Sequence, residues 1–591
     1  MLTQAFTTYL LLFQDQKMNK LSLISLLSSF LFICSLNASE IIHFEISDVP
    51  TLKKRSMEDP IIKFWYSDQM ENFRKPLTKI MTESFNEKRE ELKIPEIDIA
   101  ELFQGKLVFS LSNFEISLDD QNVKNFNASL LIETGSKSKE SKSIVELLLK
   151  KIDESIKETP KVKRKDFSIQ NIMFHTYNFA SDKTDSLFSV AQLKNHLYFS
   201  LASKEDLKKN INQLLPTLNK TSTRATDISF NFNMLPLNKI FSQALDHTSK
   251  KMKANMGKGK GPSGPFAMAG MLDWKKIVTA LGFLDLKNIS YDCKFLSKGT
   301  VNNLGLDLIQ EPRGFIEMFL PTVQSQLEPF PKWVPENVAT YNAQTIPMSQ
   351  WYTILLDFTR SELPMFAPMI LMQLDSLKNS IGLDLQSDFF DLFNDELIQI
   401  DLSSKKISLQ NGNRVILCGV KDSSKFEASL TKLMGMIPSY KLNPFEYMGA
   451  KMYPLLEMPN KEGVLPTLAF YKNYFMFSTT QESTQDVIRL LKNNAKKPLL
   501  QSKLIKPFLA DTPSKLQSIS FNNLTVVIKN LLNMVHSNSN TFNAVLKNNP
   551  LKIDLSNLPT SDEIDTDFGC MYGYSTRTRT SVKSVIKTKY P

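Results

Sequence analysis

This chain reads itself twice, and that repetition constrains its fold more than any other feature. Glu96–Leu107 (EIDIAELFQGKL) returns as Gln386–Leu397 (QSDFFDLFNDEL), with Asp98, Leu102, Phe103 and Leu107 answering to Asp388, Leu392, Phe393 and Leu397, an offset of 290. Val49-Pro50 answers to Ile346-Pro347 (offset 297), and Ser129–Leu148 answers to Val415–Met434 (offset 286). Lys194–Ser200 (KNHLYFS) returns as Lys472–Ser478 (KNYFMFS, offset 278), Ile228–Asn231 as Ile519–Asn522 (offset 291), and Cys293 as Cys570 (offset 277). The matches keep their order, and the drift in offset is what loop insertions and deletions produce. The expectation is two tandem copies, 39–311 and 336–591, joined by a proline-punctuated linker, 312–335.

The pattern within a copy predicts the fold class. Ile41–Ile46, Gly105–Leu111 and Asn127–Thr134 read as strands, and Pro60–Leu92 as helix with a break near Pro76. Ser141–Ile152 reads as a helix with Ile144, Leu147, Leu148 and Ile152 on one face. Leu187–Gln192 and His196–Leu201 flank a tight turn at Lys194-Asn195, and the second copy has the same turn at Lys472-Asn473. Lys204–Leu215 reads as helix and Asp227–Asn233 as strand; Asp273 caps a helix that Gly282 closes. A hairpin, Ile289–Phe295 with Thr300–Gln310, ends the copy. Met252–Gly270 and its counterpart Ser537–Asn549 read as loops. Tight turns make the strands antiparallel, so the expected class is α+β: two copies of a mainly antiparallel sheet with packed helices.

The N-terminus predicts export. Met18-Asn-Lys, an uncharged stretch from Leu21 to Leu36 and Asn37-Ala38-Ser39 have the form of a signal peptide, 18–38, with 1–17 an over-long gene start. An uncleaved membrane anchor is the alternative. Ile33 before Cys34 is too bulky for a lipid-attachment motif. The expected location is therefore periplasmic or envelope-associated. The formal charge of +10 reads first as a solvated basic surface; read instead as a contact, in an exported chain it points to envelope protein, anionic lipid or anionic polymer rather than nucleic acid. Cys293, Cys418 and Cys570 are too few and too far apart for a disulfide framework, although a Cys293–Cys570 bridge stays open; Cys418, in an apolar run, reads as a buried free thiol.

No motif for catalysis or cofactor binding stands out. Gly259–Gly264 fits G-x-G-x-x-G, but no strand precedes it, and Pro262 and Pro265 intrude where a phosphate-binding helix would start. The five histidines are dispersed, so no cofactor and no metal site are expected. Asp98 and Asp388 precede helical turns and read as N-caps. The last segment is the most patterned surface. Read as one strand from Arg577 to Lys589, it sets Arg577, Arg579, Lys583, Lys587 and Lys589 on one face, a candidate contact for an anionic surface or else a solvated face or protected edge.

Three stretches carry a family resemblance: Ile97–Leu102 before a strand; Pro312–Phe315 followed by Trp333-Val334-Pro335; and the repeated Lys-Asn-x-x-x-Phe-Ser. Together they resemble exported, internally duplicated bacterial envelope proteins carrying a domain of unknown function. The resemblance implies export and a duplicated α+β body, and no activity. The chain departs from the pattern where Asn394-Asp395-Glu396 replaces the glycine at Gly105. The expected function is non-enzymatic binding or scaffolding in the envelope. A carrier or sensor of an apolar ligand is the alternative, and a hydrolase the second alternative.

Overall fold

The computed structural model describes residues 41–91, 103–117, 122–156, 162–179, 187–218, 226–257, 273–312, 314–322, 327–402, 414–436, 443–455, 465–546 and 554–591. Segment 18–38, Ile97–Leu102, Asp98 and the Gly259–Gly264 pattern lie outside them. The fold class is α+β. The described residues divide into two compact units. The first takes the chain up to Lys54, Phe73–Ile240 and Asn540–Asp554; the second takes Arg55–Asn72, Phe241–Ser539 and Leu555–Pro591.

The first unit is built on strands β1 (Ile42–Ile46), β2 (Leu107–Ser117), β3 (Asn122–Glu133), β4 (Val162–Ile169), β5 (Ile172–Phe179), β6 (Leu187–Leu193), β7 (His196–Ala202) and β8 (Ile228–Asn233). They pair antiparallel in the order β8-β1-β2-β3-β7-β6-β5-β4. Helix α1 (Ser138–Ile156) lays Val145, Leu149 and Ile152 against Ile132, Tyr177, Val190 and Leu197. Helix α2 (Lys204–Leu214) is capped by Ser203, whose hydroxyl accepts from the Asp206 N–H. It buries Leu207 and Ile211 against Leu131, Phe174 and Tyr198. Leu131 and Ile132 are consecutive, so the two helices cover opposite faces of the sheet. Complete burial of Leu207 and Ile211 contributes about 1.5–3 kcal/mol each. Where helix α3 (Leu235–Gly257) begins, Leu237 and Ile240 pack on Phe44, Phe109 and Phe230.

The second unit holds β9 (Leu286–Leu296), β10 (Gly299–Leu308), β11 (Thr340–Thr345), β12 (Phe393–Asp401), β13 (Arg414–Val420), β14 (Phe445–Tyr447), β15 (Ala450–Pro454), β16 (Thr467–Tyr471), β17 (Tyr474–Ser478), β18 (Ser518–Asn523), β19 (Cys570–Arg577) and β20 (Ser581–Lys589). Their order is β9-β10-β20-β19-β18-β11-β12-β13-β17-β16-β15-β14, again antiparallel throughout. Its helices include α4 (Trp274–Ala280), α5 (Trp351–Glu362), α6 (Ala367–Ile381), α7 (Ser423–Gly435) and α8 (Gln481–Asn493). Helix α8 sets Val487, Ile488 and Leu491 onto Leu417 and Met476. Helix α7 drives Phe426 into an aromatic cluster on the other face.

Several local expectations hold. Lys194 and Lys472 both adopt positive φ (54° and 53°) at the two predicted tight turns. Asp273 caps α4, and Gly282 follows it at φ 80°. Others are corrected. Pro76 sits inside a continuous helix, Glu71–Glu91, which runs on through it without a break despite the one ladder N–H it lacks. In α1 the sheet-facing positions are Val145, Leu149 and Ile152; the side chains of Ile144 and Leu148 lie outside the description. Met252–Gly257 finishes α3, and Ser539–Leu546 is helical rather than loop, since that stretch holds neither Gly nor Pro. Asp384 caps the turn Leu385–Asp388; Asp388 accepts the Asp384 N–H (2.9 Å) from the turn's far end.

The described residues of the stretch 312–335 pack into the second unit rather than forming a tether. Gly314–Phe319 is a 3₁₀ helix, and Leu327, Phe330, Trp333 and Val334 enter the core of the second unit. The Phe330 ring lies 5.5 Å from Tyr341 and 5.9 Å from Tyr572. Prolines between large apolar side chains fix an extended path that delivers those side chains to the core. The β9–β10 hairpin, read as the end of the first copy, belongs to the second unit, where β10 zips onto β20 from Gly299↔Lys589 to Asp307↔Ser581.

All three described cysteines are free. Cys293 faces the side of the sheet shared with Asn302 and Ile586, whereas Cys570 pairs with Lys589 on the other side. Two intervening strands and opposite facing exclude the Cys293–Cys570 bridge. Cys418 is half-buried, and burial pushes its thiol up to about 12; Cys570 is pushed up to about 11 by the same cause. Neither is a thiolate at neutral pH.

Candidate functional site

The basic face read from Arg577 to Lys589 comes apart, because the segment is a hairpin. Arg577 ends β19 opposite Val582, which puts it on the side away from Lys583, Lys587 and Lys589. Its side chain is 3 % exposed, and it donates to both oxygens of Glu317 (2.9 and 3.1 Å) and to the Pro321 carbonyl. Arg579 lies in the turn and pairs with Glu311 (3.2 Å). Lys587 bonds Asp511 (2.9 Å) and Lys589 is half-buried, which leaves Lys583 as the exposed cation of the three on β20. Nor is β20 an edge, since β10 and β19 flank it.

Charged side chains converge elsewhere. In the first unit, Arg164 on β4 bridges Asp153 of α1 (2.6 Å) and Asp166 (3.1 Å). His175 Nδ1 contacts Asp166 (3.0 Å), and the Tyr177 hydroxyl donates to Asp153 (3.0 Å). The Arg164 and His175 contacts hold the Asp166 carboxyl below the usual range despite its partial burial. Arg164 is shared between the two carboxylates, the arrangement of a tie between helix and sheet. In the second unit, a crevice of about 720 Å³ lies between α4 and α5. Among the described residues, Asp273, Asp357 and Glu362 line it with Lys275 and Lys276, so the charges of both signs there are nearly equal in number. Gly314 forms its floor at φ 66°, where a Cβ would overlap the Ala280 carbonyl.

A buried acid lies on the α8 side of the second unit's sheet. Glu396 follows the bulge at Asp395 (φ 66°) and accepts from the Tyr474 hydroxyl (3.1 Å). Burial raises the Glu396 carboxyl above its ordinary value of 4.5, the Tyr474 bond opposes the rise, and Glu328 adds to it. A raised folded-state value means that stability is complete below pH 4.5 and is lost as pH climbs through the raised value. Glu396→Gln, which keeps an acceptor for Tyr474, is therefore expected to raise the melting temperature at pH 7 and leave it unchanged in acid below pH 4.5. Thermal scans at both pH values check this; an equal effect at both sinks it.

The opposite face of the same sheet carries an uncharged polar stretch beside the Phe426 cluster. Asn342 and Gln344 of β11, Gln399 of β12, and Ser518 and Ser520 of β18 line a trough of about 260 Å³ with Leu397 and Ile416. Register sets Ile416, Gln399, Asn342 and Ser520 side by side across four strands. Phe477, 38 % exposed, continues this row beyond Ile416, and Gly573 continues it beyond Ser520. The Ser518 hydroxyl bonds that of Ser575. Among the described residues, the side chains of Asn342, Gln344, Gln399 and Ser520 make no hydrogen bond. The strands TYNAQT and SISFNN carry a faint signal of the trough in their alternate positions, but uncharged polar residues at period two mark an ordinary solvated face equally well.

Helix α6 is thinly covered for its composition. Nine of its fifteen residues are apolar (AxMILMxLxxLxxxI with Pro368), yet Ala367 is its only buried residue. Met369 and Met372 are 54 % and 61 % exposed, as are Met365 just before them (61 %) and Phe319 beside α5 (71 %).

Among the described residues no helix is long and apolar enough to cross a membrane, and no cluster of His, Cys, Asp or Glu is arranged to hold a metal. No family model matches the chain, and no curated protein does. Solved structures with some similarity include three crystal forms of TP0453. Form I is 10 % identical with a TM-score of 0.19, covering 48 % of this chain and 81 % of that one. Form III is 8 % identical (TM-score 0.18, 50 % and 88 %), and form IV is 6 % identical (TM-score 0.18, 46 % and 78 %).

Proposed function

We propose that the chain is a non-enzymatic binding or scaffolding protein of the periplasm or cell envelope, that 39–311 and 336–591 are two copies of one module, and that it docks its partner on helix α6. The observation that carries the docking is the exposure of Met365, Met369 and Met372 on and beside a mostly apolar helix. Contiguous exposed apolar surface of this kind marks interaction sites, and methionine adapts its shape to what it meets. The segment 18–38 supports export.

Strand order supports the duplication. The run β8-β1-β2-β3-β7-β6-β5-β4 has the same sequence of connections as β18-β11-β12-β13-β17-β16-β15-β14. Starting from the matched hairpins, Phe199 corresponds to Phe477. Walking across the ladders then pairs Leu130 with Ile416, Phe109 with Gln399, Phe44 with Asn342 and Phe230 with Ser520. At β1 and β8 this register lies one residue from the sequence matches, which a one-residue change in a loop produces. A slip of one turns each side chain to the other face.

The docking test places a photo-crosslinking side chain at Met369, and at the exposed Lys208 as control, in the cells that make the protein. Adducts to one envelope component from position 369 alone are expected, and they should vanish when Met365 and Met372 become Ser. Equal labelling from both positions, or none from 369, overturns the reading.

A further inference from the structure

We infer that the polar trough of the second unit, running from Ile416 across Gln399 and Asn342 to Ser520, is a binding site for a neutral oligosaccharide, extended along the same row by the exposed ring of Phe477 beyond the trough. The matching rows of the two units differ in one respect. In the first unit the row is Phe199, Leu130, Phe109, Phe44 and Phe230, and part of it is sealed under Leu237 and Ile240. In the second it is Phe477, Ile416, Gln399, Asn342 and Ser520, and it opens into a cavity. The same strand order thus tolerates an apolar row, so folding alone does not call for amides there.

The chemistry of the row selects the ligand. A carboxamide presents donors and an acceptor together, and so complements a hydroxyl, which is both. Asn342, Gln344, Gln399 and Ser520 have no partner among the described residues, so a ligand displaces only water from them. Every described residue lining the trough is uncharged; against these residues an ionic ligand would lose hydration without gaining a counter-charge. The aliphatic side chains of Leu397 and Ile416 and the exposed ring of Phe477 offer the apolar surface on which the C–H face of a pyranose lies. Four strand spacings from Phe477 to Ser520 span about 19 Å, long enough for several sugar units in extended form. A peptide adding itself as a strand needs an open sheet edge, and this row runs across the middle of a face.

Titration calorimetry of the purified chain with cellotetraose, maltotetraose and chitotetraose, and with a tetragalacturonate as the charged comparison, tests the inference. At least one neutral tetrasaccharide should bind and the acidic one should not. Asn342→Ala, Gln399→Ala and Phe477→Ala should each weaken binding by about five- to tenfold, the effect of losing one hydrogen bond or one ring contact. Asn342→Phe, which installs the residue type of Phe44, should abolish binding while leaving the melting temperature near that of the parent chain. Absence of binding by all three neutral probes at millimolar concentration overturns the inference. So does binding that survives Asn342→Phe, or preference for the galacturonate. Crosslinking from Met369 is indifferent to all of these outcomes.

Discussion

Phe426→Ala is expected to cost about 3–5 kcal/mol of unfolding free energy, the range for emptying a fully buried aromatic site. Phe426 is fully buried where α7 meets the sheet. Its ring lies 4.7 Å from Phe389, 5.0 Å from Phe393, 5.4 Å from Phe475 and 6.3 Å from Phe470. Truncation removes the transfer energy of the ring and also leaves a cavity walled by other rings, which are too stiff to collapse into it. Phe426→Leu fills most of that space and should lose much less. Urea denaturation of the two variants distinguishes the cases; a loss below about 1 kcal/mol in Phe426→Ala sinks the assignment of this cluster as a structural centre.

Arg577→Met is expected to cost about 3 kcal/mol, toward the lower end for a buried ion pair that loses one member. The guanidinium is nearly inaccessible, whereas Glu317 keeps 23 % exposure and regains some hydration when its partner leaves. Much of the cost is the stranded carboxylate. The double variant Arg577→Met/Glu317→Leu should therefore recover most of the stability, and a double variant as unstable as the single one refutes the pairing. Anion binding, by contrast, should not respond to Arg577, since its charge is already spent on Glu317 and the Pro321 carbonyl.

Arg577 also marks the limit of what local pattern encodes. Alternation from Arg577 to Lys589 is real in the letters, but period two places side chains on one face only while the strand continues. Thr578 donates its N–H to the Ser581 carbonyl, the chain turns back, and Arg577 lands opposite Val582 on the other face. The turn carries neither glycine nor proline to announce it. The trough is hidden for a different reason. Gln399, Asn342 and Ser520 lie far apart along the chain and become neighbours only through ladder register.

The sequence alone determined what depends on neighbours along the chain. That comprises six of the first unit's eight described strands (β4 and β5 are not among them), the cap at Asp273, the tight turns at Lys194 and Lys472, and the antiparallel α+β class those turns require. Steric preference and hydrophobic period act over a few residues, so they are legible in a few residues. The internal repetition is legible too, as a recurrence of apolar and turn positions. Tertiary structure decided the rest: that the described part of 312–335 is core rather than tether, that Cys293 and Cys570 face away from each other, and that one sheet face is sealed by phenylalanines in one unit and open and polar in the other. Each of these depends on register between distant strands, where a shift of one residue exchanges the two faces, and no local pattern fixes that shift.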